Sequence, residues 1–94
     1  MQIRSTKALS QFIEKGRLAT LRPYPYEKIY GQVSVNKKYR ARIVVVFVNP
    51  GRDILERFVN ISGYSTLDEW LKVTHHSFKG IPNRLVIIQK IDKN

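Results

Sequence analysis

The stretch YRARIVVVFV, Tyr39–Val48, decides how the rest of the chain reads. It opens in strict alternation, with Arg40 and Arg42 facing one way and Tyr39, Ala41 and Ile43 the other. A period of two is that of a strand with one solvated face. From Ile43 onward both faces turn apolar, as in a strand inside a sheet that is covered on both sides. QVSV (Gln32–Val35) predicts a partner strand, joined to it through the turn residues NKK (Asn36–Lys38). NPG (Asn49–Gly51) then breaks the pattern, since proline and glycine punctuate regular structure.

Upstream, STKALSQFIEKG (Ser5–Gly16) places Ala8, Leu9, Phe12 and Ile13 on one helical face. Ser5 or Thr6 can cap its start, and Gly16 suits its C-terminal stop. LATL (Leu18–Leu21) predicts a strand that RPYPY (Arg22–Tyr26) halts, because a proline cannot donate to a sheet ladder. Downstream, a short helix is expected with Ile54, Leu55 and Phe58 turned inward, followed by a break at ISGY (Ile61–Tyr64). In STLDEWLKVTHHSF (Ser65–Phe78), Thr66 and Glu69 have capping-box spacing. Leu67, Trp70, Leu71 and Phe78 supply that helix with its expected buried stripe. RLVIIQKI (Arg84–Ile91) predicts the last strand. The order is helix, strands, two helices, strand, which defines a single α+β domain over residues 1–94 with a small, barrel-like sheet.

Composition narrows the partners. Lys and Arg number 17 against seven Asp and Glu, for a formal charge of +10 on 94 residues. Residues 1–47 hold ten of the basic residues against Glu14 and Glu27, so that half alone carries +8. Such an excess repels itself unless a polyanion is near, and nucleic acid is the commonest one. Cysteine is absent, which excludes disulfides, thiolate catalysis and cysteine zinc sites. No signal-peptide-like segment opens the chain, and the longest apolar run, Ile43–Val48, is too short to span a bilayer. A cytoplasmic protein without a membrane partner is the expectation.

The helix running into KGRLATLR (Lys15–Arg22) resembles the signature of the ASCH family, small domains with a PUA-like β-barrel. That signature reads Gly-x-Lys-x-x-Thr-x-Arg, and Arg17, Thr20 and Arg22 stand at its Lys, Thr and Arg positions. Lys15 occupies the glycine position, with Gly16 one place late. Gly31 before QVSV, the long strand YRARIVVVFV and the helix start SGYSTLDEWL are similar to further family features in the same order. The resemblance implies the barrel fold, flanked by an N-terminal helix and two helices before the last strand. It also implies RNA binding, or hydrolysis of an acetylated cytidine by a Lys, a Thr and a Glu. In this chain the Lys position is Arg17, whose guanidinium stays protonated and cannot serve as a base, and the Glu position is Ser62.

The expectation is therefore a non-catalytic, RNA-preferring module that needs no cofactor or metal. Arg17, Thr20 and Arg22 would line its cleft, with a phosphate held between the two arginines. Arg40 and Arg42 would extend the basic surface, while Tyr24 and Tyr26 would stack on unpaired bases at the rim. The alternatives are a hydrolase on a modified nucleoside or a ribonuclease with Thr20 as nucleophile, and a basic partner-binding domain in a ribonucleoprotein. His75 and His76 are adjacent on a helix, point about 100° apart and do not make a metal site.

Overall fold

The computed structural model describes residues 1–23 and 31–91. The elements run α1 (Thr6–Lys15), β1 (Arg17–Arg22), β2 (Gln32–Val35), β3 (Tyr39–Val48), α2 (Arg52–Phe58), a 3-10 turn (Val59–Ile61), α3 (Leu67–Phe78) and β4 (Arg84–Lys90). The four strands form one antiparallel sheet in the order β1-β4-β3-β2, so the last strand in the chain lies inside it. The fold class is α+β. Among the described residues, no helix is long and apolar enough to cross a membrane.

The expected barrel is not closed: among the described residues β1 and β2 are the sheet's two edges and do not pair. Residues 1–3 are tied to both edges instead. The Met1 amino group donates to Ser34 O (2.7 Å) and Asn36 N donates to Met1 O (2.9 Å). The Asn36 carboxamide holds Ile3 at both backbone groups, accepting from its N–H (2.7 Å) and donating to its carbonyl (3.1 Å). From β1, Arg22 Nη1 donates to Gln2 O (2.9 Å). The rim of the sheet is thus bridged by a non-ladder segment, and Pro23 directly follows β1, where a ladder donor would be needed to extend it.

Each face of the sheet has its own apolar cluster. On one, α1 packs Ala8 and Phe12 against Leu18, Ala41, Ile43, Val86 and Ile88. On the other, Leu55, Leu67 and Trp70 from α2 and α3 meet Ala19, Leu21, Leu85 and Ile87. A bulge explains the doubly apolar half of β3: Ile43 pairs Ile88 and Val45 pairs Ile87, leaving Val44 as the extra residue. The alternation shifts there, so Ile43 and Val46 pack on the α1 side while Val45 and Phe47 pack on the other.

Local signals set the element ends. The Ser5 hydroxyl accepts from Ala8 N, and Gly16 closes α1 at φ +78° with its N–H on Phe12 O. Thr66 Oγ1 accepts from Glu69 N, and Glu69 Oε1 accepts from Ser65 N. Glu69 also takes a 2.8 Å ion pair from Lys7 on α1. That hydrogen bond holds the Glu69 carboxyl below, and the Lys7 ammonium above, their ordinary values. The α3 stripe differs from expectation at its end. Leu67, Trp70 and Thr74 are buried, whereas Phe78 is 41 % exposed because the last turn overhangs the end of β1, with Arg22 over its ring.

The β2–β3 hairpin turns on Asn36 and Lys37, both left-handed at φ 53° and 57°, with Lys38 N donating to Val35 O. A turn with two successive left-handed residues suits asparagine and glycine, not lysine. Lys37→Gly is expected to stabilise the domain by about 0.5–1 kcal/mol, the relieved strain less the greater freedom of glycine when unfolded. A lowered urea midpoint would contradict this.

Candidate nucleic-acid interface

Strand geometry divides the residues expected in one cleft. Along β1, Ala19 and Leu21 pack on the α2/α3 side and Leu18 on the α1 side. Arg17 shares the parity of Ala19, while Thr20 and Arg22 share that of Leu18. Five residues at about 3.3 Å also separate Arg17 from Arg22 by roughly 17 Å along the strand. A single phosphate does not fit between side chains so far apart on opposite faces. The structure separates Arg17 from the other two.

Thr20 and Arg22 belong to a cavity of about 300 Å³ beside the free edge of β1, with Arg4, Ser62, Trp70 and Phe78 also in its lining. Arg22 is held there by its own contacts. Its Nε donates to Thr20 Oγ1 (3.1 Å), and its guanidinium lies 5.9 Å from the Phe78 ring centroid. The Thr20 hydroxyl thus faces a permanent cation. Ser62, buried at 1 % exposure, donates to Val59 O (2.7 Å) and accepts from Tyr64 N (3.1 Å). No carboxylate, imidazole or amine side chain lines the cavity among the described residues.

Arg17 finds different company. The ladder places it opposite Gln89 on β4, Gln89 opposite Arg42 on β3, and Arg42 opposite Gln32 on β2. These four form one row across the whole sheet, on the face away from α1. One step along β3, Arg40 stands opposite Ser34. All six side chains are exposed, because α2 and α3 cover only the other end of this face. With strands about 4.8 Å apart, Arg17 and Arg42 are roughly 10 Å apart, and Arg40 lies about 7 Å along its strand from Arg42. The ion pairs among the described residues are Lys7–Glu69, Arg52–Glu56 and Arg52–Asp68, all on helices. None of them involves Arg17, Arg40 or Arg42.

Tyr24 and Tyr26 lie outside the described residues. His75 and His76 are exposed in the last turn of α3, where the helix dipole favours them, and no metal-binding cluster occurs among the described residues. Gln32, Ser34 and Gln89 join the interface without any sequence signal of their own, since only the pairing of β3 with β4 brings them beside the arginines. Compared with protein-family models, curated protein sequences and solved structures, the chain matches none.

Proposed function

We propose that this domain is an RNA-preferring nucleic-acid-binding module of the ASCH/PUA-like type, acting in the cytoplasm without catalysis. One observation carries the reading: Arg17, Arg40 and Arg42 come from separate parts of the chain onto one exposed sheet face, with no ion-pair partner among the described residues. Arginine suits phosphate because its planar fork donates two parallel hydrogen bonds and keeps its charge at all physiological pH. The polar residues between them, Gln32, Ser34 and Gln89, can accept and donate toward sugars and bases. The family resemblance supports the same reading through the order of its elements, while the cavity beside Thr20 and Arg22 offers a second place for part of a ligand.

The test is fluorescence anisotropy with matched RNA and DNA oligomers across a salt titration. Three neutralised phosphates correspond to a slope of log affinity against log salt near −2, or a loss of at least about tenfold between roughly 50 and 200 mM salt. RNA should bind more tightly than DNA of the same sequence. Affinity that is absent, or flat with salt, would contradict the proposal.

A further inference from the structure

We infer that the ligand on this face is an unpaired strand laid across the sheet, at right angles to β1–β4, along Arg17, Gln89, Arg42 and Gln32. The inference rests on the nucleic-acid reading above and adds the form of the ligand and the way its bases are read.

The order of the row favours a single strand. Cation, amide, cation and amide alternate from β1 to β2, each one strand spacing from the next. Phosphates bind the cations. The carboxamides, each carrying a donor and an acceptor, are left to face whatever lies between the phosphates, which in a single strand is sugar and base. Arg40, beside Arg42 on the same strand, widens the track at one end and gives a third phosphate contact.

The width of the face favours it too. Four strands span three spacings, or roughly 14 Å between the axes of β1 and β2. The major groove of B-form DNA is about 12 Å wide and admits a helix or a two-stranded ribbon, not a four-stranded face. The major groove of an RNA helix is narrower still. A duplex set on this surface meets it through backbone and, in RNA, through the shallow minor groove, and keeps its major-groove base edges out of reach. An unpaired strand brings those edges, adenine N6 and N7 among them, down to Gln32 and Gln89.

The residues of the row also set a base preference. None of the six exposed residues is aromatic, so among the described residues this row offers hydrogen bonding rather than stacking as its means of discrimination. A glutamine carboxamide matches the adjacent donor and acceptor at N6 and N7 of adenine in a two-bond pairing. Strands containing adenine should therefore bind better than strands without it.

The experiment uses the full chain with three fluorescein-labelled RNAs of equal length: an unpaired strand containing adenines, an unpaired strand without adenine, and a blunt duplex of the first. The unpaired adenine strand should bind at least about tenfold more tightly than its duplex and severalfold more tightly than the adenine-free strand. In a Q32A/Q89A variant, with folding checked by thermal melting, the adenine preference should disappear while the salt slope stays unchanged, since no charge is lost. Duplex binding as tight as single-strand binding, with the salt slope intact, overturns the inference and leaves the nucleic-acid reading standing. An adenine preference that survives in Q32A/Q89A overturns it as well. Failure of all three RNAs to bind at any salt overturns both.

Discussion

Gly63→Ala is expected to destabilise the domain by about 3–4 kcal/mol, one of the largest effects of any single methyl group in this fold. A Cβ built at Gly63 would stand 2.6 Å from Lys7 O, 2.8 Å from Ala8 Cα and 2.9 Å from Ala8 N. All three are backbone atoms of the first turn of α1, which cannot swing aside as the tip of a side chain would. The backbone there is also left-handed, at φ +92°, which costs any other residue further energy. The turn could admit the methyl only by moving off α1. That would loosen the hydrogen bond from Tyr64 Oη to Ser5 Oγ, which ties this turn to α1, and the Lys7–Glu69 pair, which ties α1 to α3. Gly16→Ala is the control, because Gly16 is equally left-handed but has open space where its Cβ would go. It should cost only about 1 kcal/mol, the conformational part alone. Urea midpoints that fall equally for both variants would show that the close approach at Gly63 does not matter.

Phe12→Ala should cost about 3–5 kcal/mol, the range for an aromatic removed from a packed core. Phe12 has no exposed surface and stands at the centre of the α1-side cluster, with its ring edge-on to Tyr39 at 6.0 Å between centroids. The cavity left behind would adjoin Leu18, Val86 and Ile88, which strands β1 and β4 hold from both sides and which cannot close over it. A domain of this size has about 5–15 kcal/mol of stability in total, so the variant loses a large share of it. Calorimetry should show a melting temperature lowered by well over 10 °C at about 4–8 °C per kcal/mol. A shift of only a few degrees would mean that α1 does not pack as described.

These two residues show what could be read in advance. Phe12 was legible because its helix repeats apolar residues at helical spacing between a serine cap and a glycine stop. The capping pair of Thr66 and Glu69 was legible for the same reason: caps act over three or four residues, which one segment contains. Contacts between distant segments were not legible. The packing of Gly63 onto Ala8, the bulge at Val44 and the row from Arg17 to Gln32 all depend on register, which no single stretch of this sequence specifies. The expected partnership of Arg17 with Arg22 failed on strand parity alone, since five residues of separation put two side chains on opposite faces. Phe78 fits the apolar stripe of its helix, yet is exposed at the cavity rim.

The central claim is that one sheet face, rather than net charge in general, holds the nucleic acid. It is tested most directly by two variants of equal charge. R17Q/R40Q/R42Q removes three positive charges from the row, and R57Q/K72Q/K79Q removes three exposed charges from the helical side. The measurement is the slope of log affinity against log salt for a single-stranded RNA. The row variant should lose about 2 from the magnitude of that slope, at roughly 0.7 per phosphate contact, while the helical variant should keep the slope of the unaltered protein. Equal slopes in the two variants would contradict the account, because the charge would then act from everywhere and the face from nowhere in particular.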